Sequence, residues 1–211
     1  EPFVGMCGML QAIRGGERIA SGTNESLILM LKGIQDGTFY PPACVTKEMY
    51  ERLKRERASA LQAYVGIAFS HMGAWFEGYR PVENSMKRPN TTVNNVRVLA
   101  SSIRDVSFTC QNYASWTTKK DYLIYCDPPY AGTRVHVYKD KTQFDHSVFW
   151  EWCRKMSRTN RVLISEMSAP GDFKSIWGIE RSFGFKTSRN GNANPFKQTE
   201  HLFVHESVRW L

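Results

Sequence analysis

Six consecutive residues, Tyr125-Cys126-Asp127-Pro128-Pro129-Tyr130, gather more usable chemistry than any other stretch of the chain. Asp127 offers a carboxylate. Pro128 and Pro129 have no N–H to give, so the backbone carbonyls beside them lack a local donor. Tyr130 adds a ring with a polar tip. A carboxylate and a carbonyl accept hydrogen bonds from an amino group, and an aromatic face stacks on a flat ring. Together these groups suit a planar, amino-bearing ring as ligand. An Asp-Pro pair alone is an ordinary turn; the six residues together read as a site.

The elements around this stretch must aim it. Tyr122-Leu123-Ile124-Tyr125 is a short apolar run that reads as a buried strand. The prolines end it, so Asp127 falls at the strand's carboxyl end with a rigid turn behind it. In open α/β sheets that edge is where ligands bind. Arg161-Val162-Leu163-Ile164-Ser165 reads as another strand, and Ser165-Glu166 at its end is placed to support the same edge. A second candidate lies at the start of the chain. Pro2-Phe3-Val4 reads as the end of a strand already under way, which predicts residues upstream. Gly5-Met6-Cys7-Gly8 follows as a turn, and Met9 to Ile13 as a helix. Glycines there let the backbone approach a ligand closely.

The remaining pattern alternates strands with helices. Arg18 to Ser21 is a strand, and Thr23 or Asn24 caps a buried helix from Glu25 to Leu31. Thr46 caps a charged helix from Lys47 to about Tyr64. Phe69 to Arg80 has no clean period and reads as an irregular packed loop, with Trp75, Phe76 and Tyr79 as its core. Residues 84 to 96 are polar and turn-prone, and a helix passes through Val96, Leu99 and Ile103. Val106 to Cys110 is a strand, and Asp145 caps a helix that turns Phe149, Trp152, Cys153 and Met156 inward. Asp172 to Trp177 reads as a short helix. Phe183 to Lys186 and His201 to Val204 read as late strands joined by Asn190-Gly191-Asn192. This order predicts an α/β fold with a mostly parallel sheet. The step from Ser21 to Val106 far exceeds the roughly 30 residues of a βαβ unit. Residues 38–104 are therefore read as an inserted, mostly helical subdomain, and residues 1–37 with 105–211 as the main domain.

Composition narrows the function classes. The 211 residues carry a net charge of +8 and 42% hydrophobic residues, ordinary for one globular domain. No apolar run approaches the ~20 residues that span a bilayer, and no leader pattern is expected at the start. Five scattered cysteines without a Cys-x-x-Cys pair predict reduced thiols in a cytosolic compartment and argue against zinc. His201 and His205 flank a strand and read as surface or packed residues. The excess positive charge favours an acidic partner, nucleic acid above all. It is clustered: Arg80, Lys87, Arg88, Arg97 and Arg104 stand against Glu83 alone. Arg181, Lys186, Arg189 and Lys197 form a second cluster without an acid between them.

Glu1-Pro2-Phe3-Val4-Gly5 and Tyr125 to Tyr130, in this order and with an insert between them, resemble the cofactor and catalytic motifs of the Dam-like (D12 class, α group) DNA adenine-N6 methyltransferases. Phe69 to Arg80, and Gly132-Thr133 with Phe144 to Trp150, are similar to phage-encoded members in particular. The resemblance implies a seven-stranded Rossmann-like sheet that binds S-adenosylmethionine along its carboxyl edge, with no metal. Pro2, Phe3, Gly5, Cys7 and Gly8 would line the methionine half of the cofactor, and Asn112, Tyr113 and Asp127 would complete its site. Asp127, Pro128, Pro129 and Tyr130 would be catalytic, with Tyr130 stacking on a flipped adenine. Arg80, Lys87, Arg88 and Arg97 would hold double-stranded DNA, in the cytoplasm of a prokaryotic or phage-infected cell. The sequence departs from the family at four points. The glycine expected at Cys7 comes one position late, at Gly8. The acids expected after the second and third strands align with Gly22 and Asn112, and the N-terminal Lys-Trp-x-Gly-Gly-Lys motif is absent. These departures leave open a DNA-binding relative that binds cofactor weakly or not at all. A methyltransferase acting on RNA, or on a protein amide, is the other alternative.

Overall fold

A computed structural model describes residues 1–42, 44–80, 88–130, 144–183 and 196–208. The chain packs as two compact units, the first built on Glu1–Ser115 and the second on Trp116–Thr133 with Phe144–Leu211.

In the first unit, β1 (Arg18–Gly22) pairs in parallel with β2 (Val106–Cys110), in register from Arg18 opposite Val106 to Gly22 opposite Cys110. Residues 1–4 run beside β1 without forming a regular strand. The Glu1 nitrogen donates to the Ile19 carbonyl, Ser21 N–H to the Glu1 carbonyl and Val4 N–H to the Ser21 carbonyl, each at 2.9 Å. The short helix α1 (Gly8–Ala12) follows. Helix α2 (Glu25–Asp36) is capped by Asn24, whose side chain accepts the Leu27 N–H at 3.3 Å. Val4, Leu10, Ala20, Ile28, Leu31, Ile34, Val106 and Phe108 form the core between these elements. Apolar burial of this kind is the main favourable term in the fold.

The long charged helix expected from Lys47 to Tyr64 is two helices, α3 (Lys47–Leu53) and α4 (Ala60–Ala68). Thr46 caps the first as expected, at 3.2 Å to Met49 N–H. The break arises at Ser59, which caps a new helix by accepting Gln62 N–H at 3.1 Å. Buried Gln62 then donates to the carbonyls of Leu53 and Glu56, both at 2.8 Å, and so satisfies the end of α3. Helix α5 (Arg88–Ser102) begins earlier than the polar run through Asn94 and Asn95 suggested. Pro89 lies in its first turn, where the missing N–H costs nothing.

A separate cluster of Val45, Tyr50, Leu53, Val65, Phe69 and Phe76, with Trp75 and Tyr79 against it, fills the region between α3 and residue 79. The irregular loop is packed as expected. It is closed by a bridge between Ser70 and Tyr79, and the Tyr79 hydroxyl donates to the Val45 carbonyl at 2.6 Å. Phe76 adopts φ 51° and lies on Gly66 of α4: a Cβ on Gly66 would meet the Phe76 ring at 2.5 Å. The Phe76 N–H is bonded to the Gly66 carbonyl at 3.1 Å, so the ring cannot easily retreat. Gly66→Ala is therefore expected to destabilise the first unit by about 1–3 kcal/mol. Chemical denaturation of the variant against the parent measures this.

In the second unit, β3 (Leu123–Cys126), β4 (Arg161–Glu166), β5 (Phe173–Phe183) and β6 (Phe196–His205) form one sheet in the order β3-β4-β6-β5. Helix α6 (His146–Met156) is capped by Asp145, which accepts Val148 N–H at 3.0 Å, and buries Phe149, Trp152, Cys153 and Met156 as expected. Two features differ from the sequence reading. Residues 173–177 are strand, not helix: Phe173, Ile176, Trp177 and Ile179 favour strand, and pairing with β6 holds the segment extended. The pairing is also only half parallel. β1–β2 and β3–β4 are parallel, but β6 returns antiparallel between β4 and β5. Arg154 of α6 ties the helix to the start of β5 by donating to both oxygens of Asp172, at 2.5 and 2.9 Å. That bond holds the Asp172 carboxyl down to about 2. The expected Asn190-Gly191-Asn192 connection, Lys186, Arg189 and Gly132-Thr133 lie outside the described residues.

Candidate active site

Each unit presents the carboxyl ends of a pair of parallel strands. In the first unit, β1 ends at Gly22 and β2 at Cys110, and Gln111 N–H donates to the Gly22 carbonyl at 3.1 Å. Pro2, Phe3, Gly5, Cys7, Gly8, Asn112 and Tyr113 all belong to segments that run past this edge. Phe3 and Tyr113 stack, their ring centroids 5.2 Å apart. Gly5 has φ 42°, and a Cβ on either Gly5 or Gly8 meets nothing within 4 Å, so the turn faces open space. An aromatic wall beside an exposed backbone turn suits an apolar chain with a polar end.

Cys7 also takes a left-handed backbone, φ 61°, at a position where glycine would be unstrained. Its thiol is fully buried and pushed up to about 12 by that burial, so it is a packed side chain and no nucleophile. Gly22 has room for no larger residue without displacement, since a Cβ there lies 3.2 Å from Val4 Cγ1. The Asn112 amide oxygen is already engaged by Ala114 N–H at 2.9 Å. Neither position therefore supplies an acidic group to this edge.

In the second unit, Asp127 directly follows β3, and Pro128 is buried behind it. The parallel neighbour β4 ends in Ser165 and Glu166. Strand β6 pairs Glu166 with His201 and brings Glu200 beside them. The Tyr130 hydroxyl donates to Glu200 Oε1 at 3.0 Å and lies 3.4 Å from Ser165 Oγ. Ser165 donates to the same Glu200 oxygen at 2.7 Å, and Arg181 of β5 donates to Oε2 at 2.9 Å. Glu166 is almost fully buried. It accepts its neighbour's Met167 N–H at 2.6 Å, and His146 at the start of α6 lies 3.8 Å away.

The electrostatics follow from this crowding. The Asp127 residue is open to solvent, yet the surrounding protein strips enough water from its carboxyl to push it above the usual range. A hydrogen bond from Tyr130 opposes that rise, and the charges of Glu200 and Glu166 add to it. The Tyr130 phenol is pushed well up by burial, against a Ser165 hydrogen bond, and by the Asp127 and Glu200 charges. Burial raises the Glu200 carboxyl too, but bonds from Ser165, Arg181 and Tyr130 outweigh it and hold the group below its usual range. The result is a charged Glu200, a protonated Tyr130 and an Asp127 with acceptor capacity facing solvent. Such a site can receive an amino group on Asp127 and steady a flat ring against Tyr130.

Of the residues anticipated from sequence, Asp127, Pro128, Pro129 and Tyr130 form one turn, and Phe3, Gly5, Cys7, Gly8 and Tyr113 gather at one edge. Arg80 and Arg97 are exposed in the first unit; Lys87 and the side chain of Arg88 lie outside the described residues. Glu200, His146 and the site role of Arg181 were not anticipated. All five cysteines are free, and Cys126, packed behind Asp127, is buried. Among the described residues, no cluster of three His, Cys, Asp or Glu side chains could hold a metal, and no helix is long and apolar enough to cross a membrane.

The α/β scaffold thus ends a parallel strand in a carboxylate, two prolines and a tyrosine anchored through its hydroxyl. A family model for the D12 class N6 adenine-specific DNA methyltransferases matches residues 79–186. The chain belongs to that family, and its reaction class is the methylation of adenine in DNA. A comparison with curated proteins finds no match.

Proposed function

We propose that the chain is a site-specific DNA adenine methyltransferase that modifies N6 of an adenine turned out of double-stranded DNA, with S-adenosylmethionine as donor. The observation that carries this reading is Asp127 at the end of β3, beside buried Pro128 and a Tyr130 anchored through its hydroxyl. When bound, S-adenosylmethionine supplies an electrophilic methyl group. Phe3, the Gly5 to Gly8 turn and Tyr113 fit its methionine half, since they offer open backbone beside aromatic rings.

The adenine amino nitrogen is a poor nucleophile because its lone pair is delocalised into the ring. Asp127 and the Pro128 carbonyl each accept one N–H, which localises that lone pair and aims it. Positioning of this kind can supply much of a barrier reduction. The Asp127 charge also offsets positive charge as it builds on N6, so no prior deprotonation is needed. Turning the base out costs on the order of a few kcal/mol. Stacking on Tyr130 returns about 1–3 kcal/mol of it. Residues 38–104 serve as the target-recognition subdomain in this reading. Arg80, Lys87, Arg88 and Arg97 hold phosphates, and the enzyme works in a prokaryotic or phage-infected cytoplasm.

Methylation-sensitive sequencing of DNA from cells expressing the full-length gene tests the reading. Modified adenines within one recurring short sequence are expected, and none with the Asp127→Ala variant. Unmodified adenines throughout would overturn it. The engaged Asn112 oxygen and the bare Gly22 favour a second reading, a DNA-binding relative with weak cofactor affinity. Calorimetry with S-adenosylmethionine separates the two: heat of binding supports the enzyme, and its absence the binding module.

A further inference from the structure

We infer that Glu200 is a positioning residue for the reaction, acting through the Tyr130 hydroxyl. The inference rests on the methyltransferase reading and adds to it a residue outside the Asp-Pro-Pro-Tyr turn. Three observations carry it. Glu200 Oε1 receives two hydroxyls, Tyr130 at 3.0 Å and Ser165 at 2.7 Å. Its other oxygen is held by Arg181 at 2.9 Å, so the carboxylate itself is fixed on both sides. The three contacts come from three places in the chain: the turn after β3, the end of β4, and β5.

The Tyr130 hydroxyl lies on the long axis of its side chain, so catching it fixes where the ring points. Glu200 catches that tip and so limits the swing of the side chain that would carry the ring away from a stacked base. It also accepts a hydroxyl hydrogen that has two acceptors to choose from. The Tyr130 hydroxyl carries one hydrogen, and both Asp127 and Glu200 draw on it. A Glu200 that is charged and locked by Arg181 holds that hydrogen. Asp127, with only a share of that hydrogen, keeps acceptor capacity for the amino group of the substrate. Ser165 completes the arrangement by donating to Glu200 rather than competing for it. Aromatic platforms lose little freedom on binding only when they are already oriented, and this is the contribution assigned to Glu200.

The test is a double-mutant cycle on the full chain with Glu200→Gln, Tyr130→Phe and the pair. Glu200→Gln is expected to lower kcat about tenfold while leaving KM for S-adenosylmethionine unchanged. In the Tyr130→Phe background the same substitution is expected to have almost no effect, because the hydroxyl it acts through is gone. A merely structural role for Glu200 would instead lower kcat equally in both backgrounds, and that result overturns the inference. A second arm needs no activity. In protein carrying 13C at the tyrosine Cζ, the Tyr130 resonance, assigned by its loss in Tyr130→Phe, is expected to move in Glu200→Gln. An unmoved resonance overturns the contact itself. If the resonance moves but the parent transfers no methyl group to DNA adenine, the underlying reading has failed, and the catalytic role of Glu200 falls with it.

Discussion

Replacing Asp127 with Ala is expected to abolish methyl transfer, and replacing it with Asn to lower kcat by about 10²- to 10³-fold, the range for losing one oriented polar contact to a developing charge. Asn keeps a carbonyl oxygen that accepts one N–H, but it lacks the negative charge that offsets the cation growing on N6. The Asn substitution acts in opposite directions on stability and on activity. The Asp127 carboxyl is held above its usual range, first by desolvation and then by the Glu200 and Glu166 charges. A carboxyl whose folded pKa is raised contributes stability below its unfolded pKa. That contribution is lost as pH rises through the folded value. At neutral pH the ionised group therefore strains the fold. Asp127→Asn is expected to raise the melting temperature modestly at pH 7 and to leave it unchanged below the ordinary carboxylate range. Melting curves at pH 3 and pH 7, read beside initial rates, check both halves. A neutral-pH melting temperature that falls on substitution would remove the electrostatic account.

Arg18→Met is expected to destabilise the first unit by about 2–4 kcal/mol, the cost of leaving buried backbone carbonyls without a donor. Arg18 is 5% exposed and opens β1. Its Nη1 donates to the carbonyls of Leu10 at 2.7 Å, Ile13 at 3.0 Å and Ser102 at 2.9 Å. Those carbonyls belong to the ends of α1 and α5, which have no partners within their own helices. Its Nη2 is bonded to Asp105, whose carboxyl that bond lowers. One guanidinium thus closes two helix ends and the turn into β2. Methionine fills much of the same volume but donates nothing. The melting transition of the first unit should fall by roughly 10 °C, given about 2–4 °C per kcal/mol for a chain of this size. Arg18→Lys should recover part of the loss, because one ammonium cannot reach all four oxygens. Full stability in Arg18→Met would show that water replaces the guanidinium.

Local chemistry was legible wherever it was decided by near neighbours. Thr46 and Asp145 cap the helices they were expected to cap, and Asn24 is the one of the two offered caps that does so for α2, because a capping oxygen needs only the N–H three residues on. The apolar run before Asp127 forms a strand, displaced by one residue, and the prolines stop it. The helix from Lys47 failed because Ser59 competes as a second cap, and a buried Gln62 closes the gap from nine residues away. Residues 173–177 failed because their strand state depends on β6, more than twenty residues later.

The candidate catalytic turn follows the same division. Asp127, the prolines and Tyr130 were readable in one line of residues, and with them a carboxylate, carbonyls and a ring beside an amino group. Their family is likewise carried by the stretch from residue 79 to residue 186. What holds Tyr130 in place was not readable. Glu200 stands seventy positions away on a strand that pairs with β4 and β5 together, and Arg181 looked like one more basic residue in an acid-free run. A hydrogen bond between two side chains is set by where the sheet brings them. No local pattern of residue types records which strand will lie beside which, because that choice is made by burial of the whole apolar surface at once.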